Sequence, residues 1–388
     1  MVGNPEDIYL LNEYELYWRD HFDWLQQSGY TLRPRYKPNW IPSWQGTKRR
    51  PGDFEDSRDC EVPVLTSAQW CSILTSVQRP VVLDATRVSD KEMVLLKRIH
   101  KLIHPYEVGI GQYFSSEALA SDPRNHCCPV YDVLHDPADE NTISKTIIVM
   151  PLLRRYNDPN FLTVGEALEF FRQIFEALAF MHEHHVAHRD CMTLNIMMDA
   201  RPMYPEMYHP RSPFMKRDYS GKAKHYSRTR RPVKYYLTDF GISKRFDKDD
   251  TNPIVVPIIS GDPSAPEFQE DKVTARNPFP TDVYYLGNVI REDFLTVSRP
   301  DLYSNLKFLY SLVGSMVRKD PATRPTMAQV VKSFEQLVSK LSKWQLGARL
   351  VLHTDDSIVN ALKYVHHLYF RLIPYLLLRL PSLPSPKS

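Results

Sequence analysis

"VAHRDCMTLNIMMD", residues 186–199, decides how the rest of the chain is read. It sets His188, Arg189 and Asp190 in a row and places Asn195 five positions after the aspartate. An aspartate can take a proton, and aspartate with asparagine offers hard oxygens to a divalent cation. Met alone, the same pair is most often a turn or a helix cap. The motifs that follow choose between these readings.

"DFG" stands at 239–241, directly after the strand-like "VKYYLT"; "APE" stands at 265–267, "DVYYLG" at 282–287 and "KDPATRP" at 319–325. This ordered set resembles a eukaryotic-type protein kinase, whose catalytic loop reads H-R-D-x-x-x-x-N. The resemblance covers about residues 30–345. "RPRYKPNWIPSW" (33–44), "SDPRNHC" (121–127) and "SRTRRPVKYY" (227–236) resemble the fungal-type kinase domains of mushroom-forming fungi. The resemblance implies an α+β, bilobal fold with a small β-rich N-lobe and a larger helical C-lobe.

It also implies roles. Asp190 would accept the substrate hydroxyl proton, and Asn195 and Asp239 would hold Mg²⁺, a cation that keeps several waters and takes few protein ligands. The ATP lysine is expected at Lys97, which ends "VLLK"; a charge closing a buried strand needs a phosphate or carboxylate to meet. A competing alignment makes "VVLD" that strand and puts Asp84 in the lysine's place, but the turn-like "VSDKE" favours Lys97. Its partner glutamate is expected at Glu107, which has Ile110 and Phe114 at +3 and +7; Glu117, nine residues before His126, is the alternative. Gly109 and Gly111 would weaken that helix by roughly 1 kcal/mol each. Met150 falls at the gatekeeper position, Pro151 keeps the carbonyl adenine requires though it lacks an N–H, and Leu153 offers both backbone groups. His188, Arg189, Phe240, Gly241 and Asp282 are expected to support the site. Glu267 and Arg324 are expected to form an ion pair bracing the activation segment.

Composition bounds the rest. Hydrophobic residues make up 43% of 388, enough for a real core, and a net charge of +3 predicts no nucleic-acid or membrane partner. Five cysteines show no metal-ligand spacing, and an odd count without a secretory signal fits an intracellular, cytoplasmic setting, with the nucleus open. The tail "YFRLIPYLLLRLPSLPSP" (369–386) is cut by Arg371, Pro374 and Arg379. It is too interrupted for a span of about 20 apolar residues and reads as a docking segment or a loosely ordered tail.

Residues 1–75 are rich in aromatics and proline and read as extended chain packed on, or leading into, the core. Residues 76–152 read as the N-lobe, 153–345 as the C-lobe with a basic insert at 201–234, and 346–388 as a tail. Two strands around a turn are expected within 80–97, and another strand at 145–153. Thr163 and Glu166 form a T-x-x-E capping box ahead of Leu168, Phe171, Phe175, Leu178 and Met181 at helical spacing.

Three departures stand out. "TSAQWCSILTSVQRP" (66–80) has no glycine, so the loop whose backbone closes over phosphates is missing; "SWQGTK" (43–48) has one that could serve in part. Met192 stands where serine/threonine kinases usually carry lysine, and Leu194 where tyrosine kinases often carry arginine. Losing a cation there costs on the order of 2–4 kcal/mol of transition-state stabilisation. Asp239 follows Asn195 by 44 positions, and residues 201–234 hold ten Lys/Arg against Glu206 and Asp218. That run is a solvated loop, or an arm that docks acidic peptide or returns a cation to the site, with Arg228, Arg230 and Arg231 as candidates. Thr251, Ser260 and Ser264 are the hydroxyls that could carry a phosphate for Arg189 or orient substrate.

The expected function is an ATP- and Mg²⁺-dependent kinase acting on Ser/Thr of an unidentified protein. The alternatives are a pseudokinase serving as an interaction module, and a small-molecule kinase, against which Glu267 and Arg324 count.

Overall fold

The computed structural model describes residues 11–57, 82–137, 145–258, 262–295, 303–351 and 357–386. Chain contacts divide the protein into two compact units. The first takes residues 1–103, 130–152 and 204–225; the second takes 104–129, 153–203 and 226–388.

The first unit is built on an antiparallel sheet. Its elements are α1 (Glu13–Asp20), α2 (Phe22–Gln27), β1 (Tyr30–Thr31), β2 (Val82–Arg87), β3 (Met93–His100), β4 (Asp132–His135) and β5 (Lys145–Pro151). The strands lie in the order β1-β2-β3-β5-β4. Strand alternation sends one residue set to each face. Leu83, Leu96 and Val149 form one cross-strand row, and with Ala85, Val94 and Ile147 they are buried.

Trp18, Phe22 and Leu25 cover that face. Their spacing is helical, and α1 and α2 replace the extended chain expected for this part of 1–75. The prolines at 34, 38 and 42 start only after these helices, so they do not break them. A buried polar network ties the segment down. Arg35 grips Glu15 through two bonds of 2.6 and 2.7 Å, and Arg33 Nε donates to both oxygens of Asp84 on β2 at 3.1 Å.

The second unit is mainly helical. It contains α3 (Glu107–Phe114), α4 (Glu117–Ala120), β6 (Arg154–Arg155), α5 (Val164–Glu183), β7 (Val186–Ala187), β8 (Ile196–Met198), β9 (Tyr235–Leu237), β10 (Lys244–Arg245), α6 (Pro266–Glu270), α7 (Phe279–Ile290), α8 (Tyr310–Met316), α9 (Met327–Val338), α10 (Lys343–Gly347), α11 (Ser357–His367) and α12 (Ile373–Leu377). The long helix α5 is the spine of this unit, with its apolar positions fully buried. Its cap is half of the expected box. Thr163 Oγ1 accepts from Glu166 N at 3.1 Å, but the Glu166 carboxylate turns to Leu162 N and to Thr229.

The basic insert is shared between the units. Residues 204–225 belong to the first, where buried His209 donates from Nε2 to Glu55 at 3.0 Å; its Nδ1 accepts from the backbone N–H of Arg211 and Ser212. Residues 226–234 belong to the second. There Arg228 is buried, donating to the carbonyls of Tyr156 (2.7 Å) and Asn160 (3.3 Å) and lying 4.4 Å over the Phe161 ring. This removes Arg228 from the set that could face a peptide; Arg230 and Arg231 are exposed. The C-terminal tail is packed on the same unit. Tyr375 donates to Ser227 at 2.7 Å and Ser385 to Glu169 at 2.9 Å. At Gly165 a Cβ would run into the Ser382 carbonyl oxygen, so α5 needs glycine where the tail crosses it.

Candidate functional site

In the second unit the site starts from β7, which pairs with β10 and delivers the chain to His188. Arg189 has φ +70°, a left-handed conformation that costs a non-glycine residue roughly 1–2 kcal/mol. Asp282 on α7 holds it in place. This fully buried carboxylate accepts the backbone N–H of His188 at 2.8 Å and of Arg189 at 2.6 Å, and a bond from His182 Nε2 at 3.1 Å. The His188 ring accepts from Asp190 N at Nδ1 and therefore donates from Nε2 to the Thr238 carbonyl at 3.1 Å. Burial pushes the His188 pKa down, so the ring is neutral.

The loop geometry brings Asp190 and Asn195 together. Asn195 Nδ2 donates to the Asp190 carbonyl at 2.9 Å and to its Oδ2 at 2.8 Å. Asp190 Oδ1 is buried with no hydrogen-bond partner among the described residues. Burial raises the Asp190 pKa to about 7, and the nearby Asp239 charge adds to the shift. Thr193 Oγ1 in the same loop donates to Asp293 at 2.7 Å, as does Tyr156 at 2.5 Å. Nothing in the local pattern announced Asp293 as an anchor, since it lies 100 positions from Thr193.

With Nδ2 committed to Asp190, Asn195 has Oδ1 left to offer a cation. Asp239 is exposed, in a left-handed turn at φ +64°, and its Oδ1 accepts from Gly241 N at 3.2 Å. Among the described residues no group of three His, Cys, Asp or Glu could cage a metal alone. Two hard oxygen donors fit Mg²⁺, which completes its shell with water and phosphate oxygens. Phe240, next in the motif, is buried in an aromatic column, 6.2 Å from Phe114 and 5.8 Å from His188 between ring centroids. Glu107 opens α3 and is buried, whereas Glu117 opens α4 and is exposed. Ile110 and Phe114 are buried on the same helix.

Arg189 donates to the carbonyls of Ile242 (3.0 Å) and Val256 (2.8 Å), fastening two points of the segment between Asp239 and Glu267. Thr251 is exposed, the Ser264 hydroxyl accepts from Asn288 at 3.0 Å, and Ser260 lies outside the described residues. Glu267 and Arg324 meet in a buried fork with both N–O distances 2.8 Å. Thr281 donates to the same Glu267 carboxylate, and Arg324 spends its other donors on the carbonyls of Arg318, Lys319 and Pro280.

In the first unit, Lys97 lies on β3 opposite Val82 and Ile148, half-buried. Met150 and Pro151 close β5 opposite Leu95 and Val94, and half-buried Leu153 follows, where the chain passes into the second unit. Asp84 lies on β2, engaged by Arg33, and the turn at 88–92 separates it from the strand of Lys97. Among the described residues the strand preceding β2 is Tyr30–Thr31, and residues 58–81 of the connection between them lie outside the described residues. The glycine-free stretch 66–80, with Cys71, lies outside the described residues, as does Cys60. Gly46 of "SWQGTK" sits in an exposed turn at φ +76° within this connection.

A search of the curated proteins found no match. Residues 81–296, more than half of the chain, match the family model of the protein kinase domain. With its sheet, its helical unit and its ordered motifs, the chain belongs to the protein kinase domain family.

Proposed function

We propose that this kinase domain is active, moving the γ-phosphoryl group of ATP to a Ser or Thr hydroxyl of a protein. The observation that carries the reading is Asp190. Its carboxylate is oriented by Asn195, and Oδ1 is left open to accept a bond. A pKa of about 7 suits a group that takes a hydroxyl proton near neutral pH. In this reading Asp190 orients the substrate oxygen and receives its proton. Lys97 engages the ATP phosphates, and Glu107 is the glutamate that the kinase resemblance pairs with it. Pro151 offers its carbonyl and Leu153 its backbone to adenine, beside Met150. Asn195 and Asp239 hold Mg²⁺, which when bound neutralises phosphate charge. Glu267 and Arg324 argue for a protein rather than a small-molecule acceptor, because they brace the segment a peptide would lie against.

Two finer readings belong here. The segments at 33–44, 121–127 and 227–236 support the fungal-type kinase group. The buried thiols of Cys127 and Cys191 support a reducing compartment. A pseudokinase is the second reading, favoured by Met192 and by the absence of glycine from the sequence 66–80. Phosphoamino-acid analysis of a generic substrate treated with labelled Mg-ATP separates them. Phosphoserine or phosphothreonine supports the proposal; phosphotyrosine alone, or no transfer, contradicts it.

A further inference from the structure

The C-terminal segment carries a surface that the kinase reading does not use. From α11 a wider turn, Leu368–Leu372, runs into α12. His367, Leu372 and Tyr375 are buried against the second unit, and the His367 ring bonds to the Gly347 carbonyl at 3.0 Å. The opposite side is apolar and open. Leu362, Tyr369, Phe370 and Leu377 are each 63–78% exposed, and Tyr364, Val365, Leu376 and Leu378 each 45–58%. Scattered exposed apolar residues need no explanation, but this many on one short helical stretch do.

Charge says what covers it. Residues 357–388 contain Lys363, Arg371, Arg379 and Lys387 and not one Asp or Glu. The net charge of +3 hides this, because acids elsewhere balance it. Beside the helix lies a cavity of about 470 Å³ whose described lining includes Arg349, Lys363, His366, His367 and Arg371 over Phe161. Among the described residues no helix is long and apolar enough to cross a membrane. An apolar face with tyrosine, phenylalanine and leucine, on a segment whose charged residues from 357 onward are all basic, is the pattern of a helix lying in a bilayer surface.

We propose that residues 361–379 form an interfacial membrane anchor for anionic lipid. Aromatic and leucine side chains enter the headgroup boundary, the cations meet anionic lipid, and the buried side fixes the kinase domain to the membrane surface.

The test is co-sedimentation of the full chain with phosphatidylcholine vesicles, with and without phosphatidylserine. Binding is expected only with the anionic lipid, and weakened by salt. Lys363→Ala with Arg371→Ala should weaken it about fivefold per cation removed. Tyr369→Ser with Phe370→Ser and Leu377→Ser, all on the exposed side, should abolish it while the thermal melt stays unchanged. Equal binding to neutral vesicles, or wild-type binding by either variant, overturns the proposal. So does inorganic phosphate stabilising the protein while no vesicle binds, which would make the cavity a free-phosphate site. Self-association lost in the Tyr369/Phe370/Leu377 variant, with no vesicle binding, would assign the face to a second copy instead.

Discussion

The side-chain amide of Asn195 ties both of its hydrogens to Asp190, one to the carbonyl at 2.9 Å and one to the carboxylate at 2.8 Å. That bond favours the ionised carboxylate, while burial and Asp239 oppose it more strongly, and the balance lies at about 7. A carboxyl whose folded pKa is raised contributes stability below its unfolded value, and that contribution is lost as pH rises through the folded value. Here the window runs from 3.8 to about 7. In Mg²⁺-free buffer Asp190→Asn should therefore raise Tm at pH 8 by a few degrees, since about 1 kcal/mol moves Tm by 2–4 °C in a domain of this class. It should do little at pH 4. An equal gain at both pH values would refute the assignment of the shift to Asp190.

The Glu267–Arg324 fork gives the opposite sign. The Glu267 carboxyl resists ionisation through burial, but its bonds to Arg324 and Thr281 outweigh this and hold its pKa below the usual value. Its stabilisation is present above the unfolded carboxylate pKa and fades as pH falls. Arg324→Met strands a buried carboxylate and should cost about 3–5 kcal/mol in urea unfolding at pH 7. Arg324→Lys should recover little, because an ammonium cannot make the fork. A loss under about 1 kcal/mol would show that the pair braces nothing.

How much of this was legible depended on whether the signal was contiguous. The loop 186–199, the 239–241 motif, Glu267, Asp282 and Arg324 each sit in a short string whose residue types serve local needs, and the structure places all of them in one unit. Strands β2, β3 and β5 announced themselves as β-rich or apolar runs, the first two around a turn and the third ending at a proline. Helices α1 and α2 did not, although Trp18, Phe22 and Leu25 have the right spacing, because six-to-eight-residue helices leave too few repeats to register. The pairs Arg33–Asp84 and His209–Glu55 were invisible for a different reason: they join residues 51 and 154 positions apart, and no local period encodes such contacts. For the same reason Arg228 read as one more cation in a basic run, although it is a buried packing residue.

That distinction is testable. Arg228→Ala removes two carbonyl contacts and the packing over Phe161, and should destabilise the fold by roughly 2–4 kcal/mol. Arg230→Ala with Arg231→Ala should leave the melt unchanged. If the exposed part of the insert docks acidic peptide, that pair should raise KM for an acidic substrate severalfold and flatten its salt dependence. Unchanged KM and unchanged salt dependence would make this part of the insert a solvated loop.

Met192 marks the missing cation of the catalytic loop. It is only half-buried, so a longer charged side chain can be accommodated. Met192→Lys should raise kcat tenfold or more if no other cation serves the transferring phosphoryl group, about 1.4 kcal/mol of added transition-state stabilisation. No gain in an otherwise active enzyme would show that another residue already supplies the charge.

The central claim is that Asp190 carries out phosphoryl transfer in this domain. Its most direct test is the rate of phosphate transfer from labelled Mg-ATP to protein by the wild type and by Asp190→Asn, under identical conditions. We predict phosphoserine or phosphothreonine from the wild type and a drop of about 10²–10⁴-fold in the variant. Equal transfer by the two proteins, or none by either at saturating Mg-ATP, would contradict it.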